Sequence, residues 1–432
     1  MSVIGIDIGT TSVCVLRMDA SGVTGIRRQN HGFLDGSYSQ DPEEIYSIVL
    51  EMTDELWEEQ VTDVALSSQM HGILFVDGDG KAVSPFYTWK NPWGEEAFAG
   101  TTVARYLTAR TGWATRSGHG LCTAFYLRQR GEIPANAASL CNIGDYVASR
   151  LTGEPKPFLN ITIAESIGGF DPQTGDFDRP LLARLGLEPG LFPRVSRADF
   201  VCGIHRGARV HAAFGDNQCS FLGSVGDYRR DVCINVGTGQ QVSCFGEHYE
   251  AGGEIEVRHF FDLGYLYVGV SQNGGKVYER LIRMIESLVS LYTGEKIDGY
   301  ARTRALWSAC PPREKMPEVI PALYGAIGAQ PAGSVLLRGL EDGQDGLDLV
   351  TGYVAGMAEE LAGLYRRIPE NVRKNKTRFY ASGNGIVRNE ILWKLTAERL
   401  NAKIERDCRE EAAAVRKYRP EYEQLHRYLM RQ

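Results

Sequence analysis

The sequence predicts an α/β protein made of two similar domains facing each other across a cleft. Three observations carry this. The chain has 432 residues, more than one ordinary core accommodates. Apolar strands recur between segments of helical spacing. The pattern that opens the chain also returns near its middle. Residues 5–19, GIDIGTTSVCVLRMD, read as two strands around a tight turn, with Ile4, Ile6 and Ile8 alternating with Gly5, Asp7 and Gly9. In DVCINVGTGQQVSCF (231–245), Val232, Ile234 and Val236 alternate in the same way before a Gly-Thr turn and a second apolar strand. The repeat places one domain over residues 1–226 and the other over 227–432.

The elements follow in order. The hairpin leads through a connecting region to PEEIYSIVLEMTDELWEE, where Ile45, Ile48, Val49, Met52 and Leu56 keep helical spacing. DVALSSQMHGILFVD (63–77) reads as a strand and DGDGK as the turn after it. Residues 95–150 read as mostly helical and 155–200 as loop-rich, and RVHAAFGDNQCSFLGS reads as a strand running into a helix. Near the end, RFYASGNGIVRNEILWKL gives a strand, a Gly-rich loop and a helix with Ile391, Leu392 and Leu395 on one face.

Composition narrows the function. Lys and Arg number 47 against 54 Asp and Glu, a net charge of −7, which argues against a nucleic-acid surface. No apolar run approaches the ~20 residues of a membrane span, and the N-terminus enters a strand with no leader-like segment, so the expected compartment is the cytoplasm. The nine cysteines are scattered, include no C-x-x-C pair, and mostly sit in apolar company, as Cys14, Cys233 and Cys244 do. That is the usage of reduced, small apolar residues.

Three Gly-containing turns carry the chemistry: DIGTTS (7–12), NVGTGQQ (235–241) and ASGNGIVRN (381–389). Glycine lets the backbone approach a ligand closely. Thr10, Thr11, Ser12 and Thr238 add hydroxyls beside backbone N–H groups, a combination suited to phosphate oxygens. A single such turn is more often an ordinary hairpin; two at matching positions and a third before a helix favour a ligand. GVSQNGGKV is not a P-loop, because its first Gly is one residue out and Val277 stands where Ser or Thr is needed. SGNG lacks the third Gly of a dinucleotide fingerprint. Asp7 is the oddity: a carboxylate in a strand otherwise committed to burial needs compensation. From pattern alone Asp216 reads first as a helix cap, and Asn389 reads equally as a cap for the last helix.

GIDIGTTS, SSQMHG, GDNQCS, NVGTGQQVS and SGNGIVRNE, in this order and spacing, resemble the FGGY family of carbohydrate kinases over nearly the whole chain. The resemblance implies two actin-like (ribonuclease H-like) domains, ATP and Mg²⁺ as cofactors, a small sugar as substrate, and no nucleic-acid or membrane partner. Such kinases are often dimers, which makes a homodimer an admissible assembly. It implies Asp216 as the catalytic base and Asp7 near the metal. Gly9, Thr10, Thr11 and Ser12, with Gly237, Thr238 and Gly239, become the phosphate turns, and Gly383 and Asn384 the adenosine loop. Gln69, Met70, His71, Trp89, Asp216 and Asn217 become the sugar contacts. SSQMHG is similar to xylulokinases and sedoheptulokinases, and GDNQCS leans toward the latter.

Two stretches depart from that pattern. After Trp89 many relatives carry an acidic residue and an Arg, whereas Lys90, Asn91, Pro92, Trp93 and Gly94 follow here. At the C-terminus CREEAAA passes directly into VRKYRPEYEQLHRYLMRQ, with Tyr422, Leu425 and Leu429 on one helical face, in place of the family's Gly/Ala helix. The expected activity is ATP-dependent phosphorylation of a primary hydroxyl of a ketose, sedoheptulose or xylulose. The alternatives at this point are a catalytically silent sugar- or nucleotide-binding homologue and an actin- or Hsp70-like ATPase acting on proteins.

Overall fold

The computed structural model describes residues 2–406, except 20, 35, 198–199, 251–254, 311–312, 314 and 325–332. The C-terminal departure at CREEAAA, with Tyr422, Leu425 and Leu429, lies outside the described residues. Contacts divide the chain into two units. The described part of the first comprises 2–223 and His259–Leu263; that of the second comprises Ser224–Arg258 and 264–406.

The first unit is built on a seven-stranded mixed sheet. Ser2–Ile8 pairs antiparallel with Ser12–Asp19, which pairs antiparallel with Gly22–Asn30. On its other side Ser2–Ile8 runs parallel to Val61–Ser68, which in turn runs parallel to Ala208–His211. The second unit repeats this order. Gly264–Ser271, Gln240–Gly246 and Asp231–Val236 are antiparallel neighbours, followed by Arg378–Ser382 and Ile404–Arg406 in parallel. Each unit therefore carries three antiparallel strands and then two parallel ones, the arrangement behind the repeated hairpin of the sequence.

The alternating residues build separate cores. Ile4, Ile6, Ile8, Val13 and Val15 pack with Ile45, Val49 and Met52 of the helix Pro42–Leu56. Val232, Ile234, Val236 and Val242 pack with Val354, Leu361 and Leu364 of the helix Gly346–Arg367 and with Leu392 of Glu390–Leu400. Burying each such side chain contributes ~1.5–3 kcal/mol before conformational entropy is set against it. The helix starts are capped locally. Asp41 accepts from the Glu43 and Glu44 N–H groups ahead of Pro42, and Asp345 forms a capping box with Asp348. Burial pushes the Cys233 thiol up to about 11 and the Cys244 thiol up to about 12, as expected of unreactive core residues. Among the described residues no helix is long and apolar enough to cross a membrane.

Two elements differ from the sequence reading. The connecting region after the hairpin is a third strand, Gly22–Asn30, whose mostly exposed residues, ending in the polar run Arg27–Asn30, hide any alternation. The strand read over 63–77 breaks in two, Val61–Ser68 and Leu74–Val76. At the break Asn142 donates through Nδ2 to the carbonyls of Gln69 and Gly72, both at 3.0 Å, and so takes backbone acceptors that a continuous strand would use.

A buried ion pair anchors the first sheet. His211 Nε2 and Arg209 both lie 2.8 Å from Asp63 Oδ1, and Asp63 and His211 are almost wholly buried. Burial alone raises the Asp63 carboxyl, but the bonds from His211 and Arg209 outweigh it and hold the group well below the usual carboxylate range. Because the folded value lies below the unfolded ~3.9, this stabilisation is complete above about pH 4 and drains away as the pH falls toward the folded value. Asp63→Ala is expected to cost about 3 kcal/mol at neutral pH. Denaturant melts of wild type and variant should converge on acidification.

Candidate active site

In the first unit the pieces meet where parallel strands end side by side. Asp7 sits opposite Ser67 in the parallel register, and Ser67 Oγ donates to Asp7 Oδ1 at 2.8 Å. Asp7 is only 7% exposed, so its charge is largely withdrawn from water. The turn after it is closed by the Gly9 N–H donating to Ser12 O at 3.0 Å. Thr11 is exposed at the tip, with Gly9 and Thr10 half-buried. Ser12 lies apart from them: it is buried, and its hydroxyl accepts from Arg28 Nε at 3.2 Å and Nη2 at 3.0 Å.

Gln69, Met70 and His71 form the turn that follows Val61–Ser68. The Gln69 N–H still donates to Ile8 O at 2.8 Å, but His71 takes φ 73°, a left-handed conformation that costs a side-chain-bearing residue ~1–3 kcal/mol. Ser166 holds it there. His71 N donates to Ser166 Oγ at 3.0 Å, and Nδ1 lies 2.8 Å from Ser166 O. A carbonyl oxygen only accepts, so Nδ1 carries the hydrogen, and in the neutral ring Nε2 is left as an acceptor. One face of the ring is covered by His119, stacked at 4.9 Å with the planes 9° apart.

Trp89 reaches back to the Gly9–Ser12 turn: its Nε1 donates to Thr10 Oγ1 at 2.9 Å, and the side chain remains half exposed. The residues after it have a local reason. Asn91 Oδ1 accepts from the Trp93 N–H at the start of the short helix Pro92–Glu95, while Trp93 stacks on Tyr126, both partly buried against the core.

Asp216 arrives from the far side. The strand Phe214–Gly215 pairs parallel with Ser67–Ser68, so the helix Asp216–Ser224 begins beside the Gln69–His71 turn. A Cβ on Gly215 would stand 2.8 Å from Met70 Sδ, the end of a flexible side chain, which marks how closely the two turns approach. Asp216 is the first helical residue and, like Asn217, half-buried. The helix is braced by Gln218, whose Nε2 donates to His259 O at 3.1 Å. The His259 N–H in turn donates to Glu165 Oε2 at 2.7 Å.

In the second unit Gly237, Thr238 and Gly239 join Asp231–Val236 to Gln240–Gly246, and Gly237 and Thr238 are exposed. The stretch rejected as a P-loop buttresses them. Gly275 N donates to Gly237 O at 2.7 Å and Lys276 N to Thr238 O at 3.2 Å, at the start of the helix Gly275–Thr293. Gly383, at φ 81°, lies against the same strand end: a Cβ there would stand 2.5 Å from Val236 O. Asn384 is exposed at the start of the short helix that follows. The loop and the turn are tied by Asn235 Nδ2, which donates to Ser382 Oγ at 2.9 Å. Asn389 caps the next helix, accepting from Leu392 N at 3.0 Å.

The donor set suits a phosphate-borne Mg²⁺. Among the described residues no group of three or more His, Cys, Asp or Glu is arranged to hold a metal. Mg²⁺ bound through one carboxylate, substrate phosphates and water needs no such cage, and Asp7 is a carboxylate such an ion would use.

A family model for the N-terminal domain of the FGGY family of carbohydrate kinases matches residues 2–230. The chain belongs to the FGGY family of carbohydrate kinases. Mouse sedoheptulokinase is 23% identical across 90% of both chains. A Streptomyces rubiginosus xylulose kinase is 26% identical over 51% of this chain and 50% of its own. The solved structure of a ligand-bound xylulose kinase from Lactobacillus acidophilus superposes with a TM-score of 0.80 at 18% identity, covering 98% of this chain and 89% of that one. Xylulose kinase from Rhodospirillum rubrum gives the same score at 97% and 88% coverage. The FGGY fold, two actin-like domains with mixed sheets, is the fold of this carbohydrate kinase.

Sequence reasoning missed His119, Ser166, Glu165 and Gln40. His119 sits in SGHG, where Gly118 at φ 84° lets the loop press onto Trp89; a Cβ there would stand 1.8 Å from Trp89 O. The adjacent glycines were a signal for that close approach. The other three have no local signature.

Proposed function

We propose that this FGGY kinase transfers the γ-phosphoryl group of ATP to a primary hydroxyl of a ketose, sedoheptulose or xylulose, in the cytoplasm and with Mg²⁺. The observation that carries the reading is the convergence, in one unit, of Asp216, the Gln69–His71 turn, Trp89 and the Asp7 turn. The similarity to mouse sedoheptulokinase across 90% of both chains supports the choice of ketose.

In this reading Asp216 accepts the proton of the attacking hydroxyl as the new P–O bond forms and ADP leaves. His71 accepts a sugar hydroxyl hydrogen at Nε2, Trp89 lays its ring against the sugar, and Gln69, Met70 and Asn217 complete the contacts. Gly9, Thr10, Thr11 and Ser12 form one phosphate turn, Ser12 supporting it through Arg28. Gly237, Thr238 and Gly239 form the other, and Gly383 and Asn384 carry adenosine. Mg²⁺, near Asp7, supplies charge neutralisation on the phosphate oxygens.

The test is ADP release from MgATP against sedoheptulose, xylulose, ribulose and glycerol. Strong stimulation by sedoheptulose or xylulose is expected. Stimulation by glycerol alone would move the substrate out of the ketoses. No stimulation by any of them, with weak nucleotide binding, would make the chain a silent binding homologue.

A further inference from the structure

Transfer between two bound molecules needs the phosphate turn and the sugar turn held at a fixed spacing, and one wholly buried side chain joins them. Gln40 lies in the two-residue strand Ser39–Gln40 and is 0% exposed. Its Nε2 donates to Thr10 O at 2.7 Å, and its Oε1 accepts from Gln69 Nε2 at 2.9 Å. Gln69 Nε2 also reaches Gly9 O at 3.2 Å.

His31 completes the set. Its Nε2 lies 3.1 Å from Gly9 O and its Nδ1 lies 3.3 Å from Gln40 Nε2. The Gly9 carbonyl only accepts, so Nε2 carries the hydrogen and Nδ1 accepts from Gln40. The network is thus satisfied by a neutral ring, because a protonated one would set two donors against each other. Burial pushes the imidazole pKa down, with the Gly9 carbonyl and Glu44 of the helix Pro42–Leu56 pulling the other way. Gln69 Oε1 is buried and has no partner among the described residues.

We infer that Gln40, acting with His31 on Gly9, Thr10 and Gln69, is a positioning residue that locks the phosphate turn to the sugar turn. This rests on the kinase reading. Gln40 reaches the reacting atoms only through those two turns; Gln69 keeps a second bond to Gly9, so the loss of Gln40 is felt first in the hold of the Thr10 turn on MgATP.

The test uses the full chain. Gln40→Met keeps the volume and removes both polar ends. KM for MgATP is expected to rise about tenfold, the effect of losing one or two buried hydrogen bonds, while KM for the sugar stays within about twofold because Gln69 keeps its bond to Gly9. A packing role alone would lower Tm and the active fraction, and so kcat, with both KM values unchanged; that result overturns the inference. Gln40→Glu supplies a second readout. The introduced carboxylate replaces the donor opposite His31 Nδ1, so in this variant only the protonated ring completes the network. Activity is then lost as the pH rises through the imidazole pKa, and the optimum should move about one unit to lower pH; an unmoved optimum overturns the inference. Wild-type protein that phosphorylates no sugar refutes the kinase reading instead. The affinity for MgADP then decides: tenfold weaker binding in Gln40→Met upholds the positioning role, and equal binding removes it.

Discussion

Asp216→Asn should reduce turnover by ~10²–10⁴-fold, the usual contribution of a positioned general base, and leave sugar binding intact. The substitution is nearly isosteric, so the close contact of Gly215 with Met70 and the start of the helix Asp216–Ser224 are preserved. What disappears is the ability to take a proton. An amide at this position can still accept or donate a hydrogen bond to a sugar hydroxyl, which is why binding is expected to survive. Calorimetric sugar affinity and steady-state turnover, measured on the same preparation, check the two halves. Retained turnover would remove Asp216 from the role of base. Lost sugar binding would make it a substrate anchor.

Gly274→Ala should raise KM for MgATP by about 5- to 100-fold, through a steric clash rather than a lost ligand contact. A Cβ at this position would stand 2.0 Å from Gly239 O, and that neighbour is backbone, so no side-chain rotation can relieve it. Relief requires the turn Gly237–Gly239 and the start of the helix Gly275–Thr293 to separate, breaking the bonds Gly275 N to Gly237 O and Lys276 N to Thr238 O. Overpacking of this kind typically costs ~1–3 kcal/mol, which the folded chain can absorb while the turn loses its shape. KM for the sugar should change little, since the sugar turn belongs to the other unit. If nucleotide and sugar parameters fall together, the damage is general, and the turn has no special part in ATP binding.

The contrast between these two residues shows how legible the site was. Asp216 stood out only through the family motif around it, because a carboxylate between a strand and a helix reads by itself as a cap. Gly274 lies in a stretch whose spacing is not that of a P-loop. Its work is to admit the carbonyl of Gly239 from 35 positions upstream, and a glycine's neighbour in space leaves no mark beside it in the chain. Asp7 was legible as an anomaly, and its partner Ser67 became visible only through the parallel register.

The sequence alone determined what depends on neighbours in the chain. Alternation in Ile4–Ile8 and Val232–Val236 set two hairpins and two cores, helical spacing set Pro42–Leu56, and glycines marked the turns where backbone must come close. Only the tertiary structure decided what depends on meetings across the chain. Asn142 breaks the strand at Gln69, Ser166 holds His71 in a left-handed conformation, and Gln40 joins two turns that lie about thirty residues from it on either side. Hydrophobic periodicity is written residue by residue, because each side chain chooses its face locally. A buried polar group has to find its partner wherever the fold brings one, and that pairing cannot be read until the fold exists.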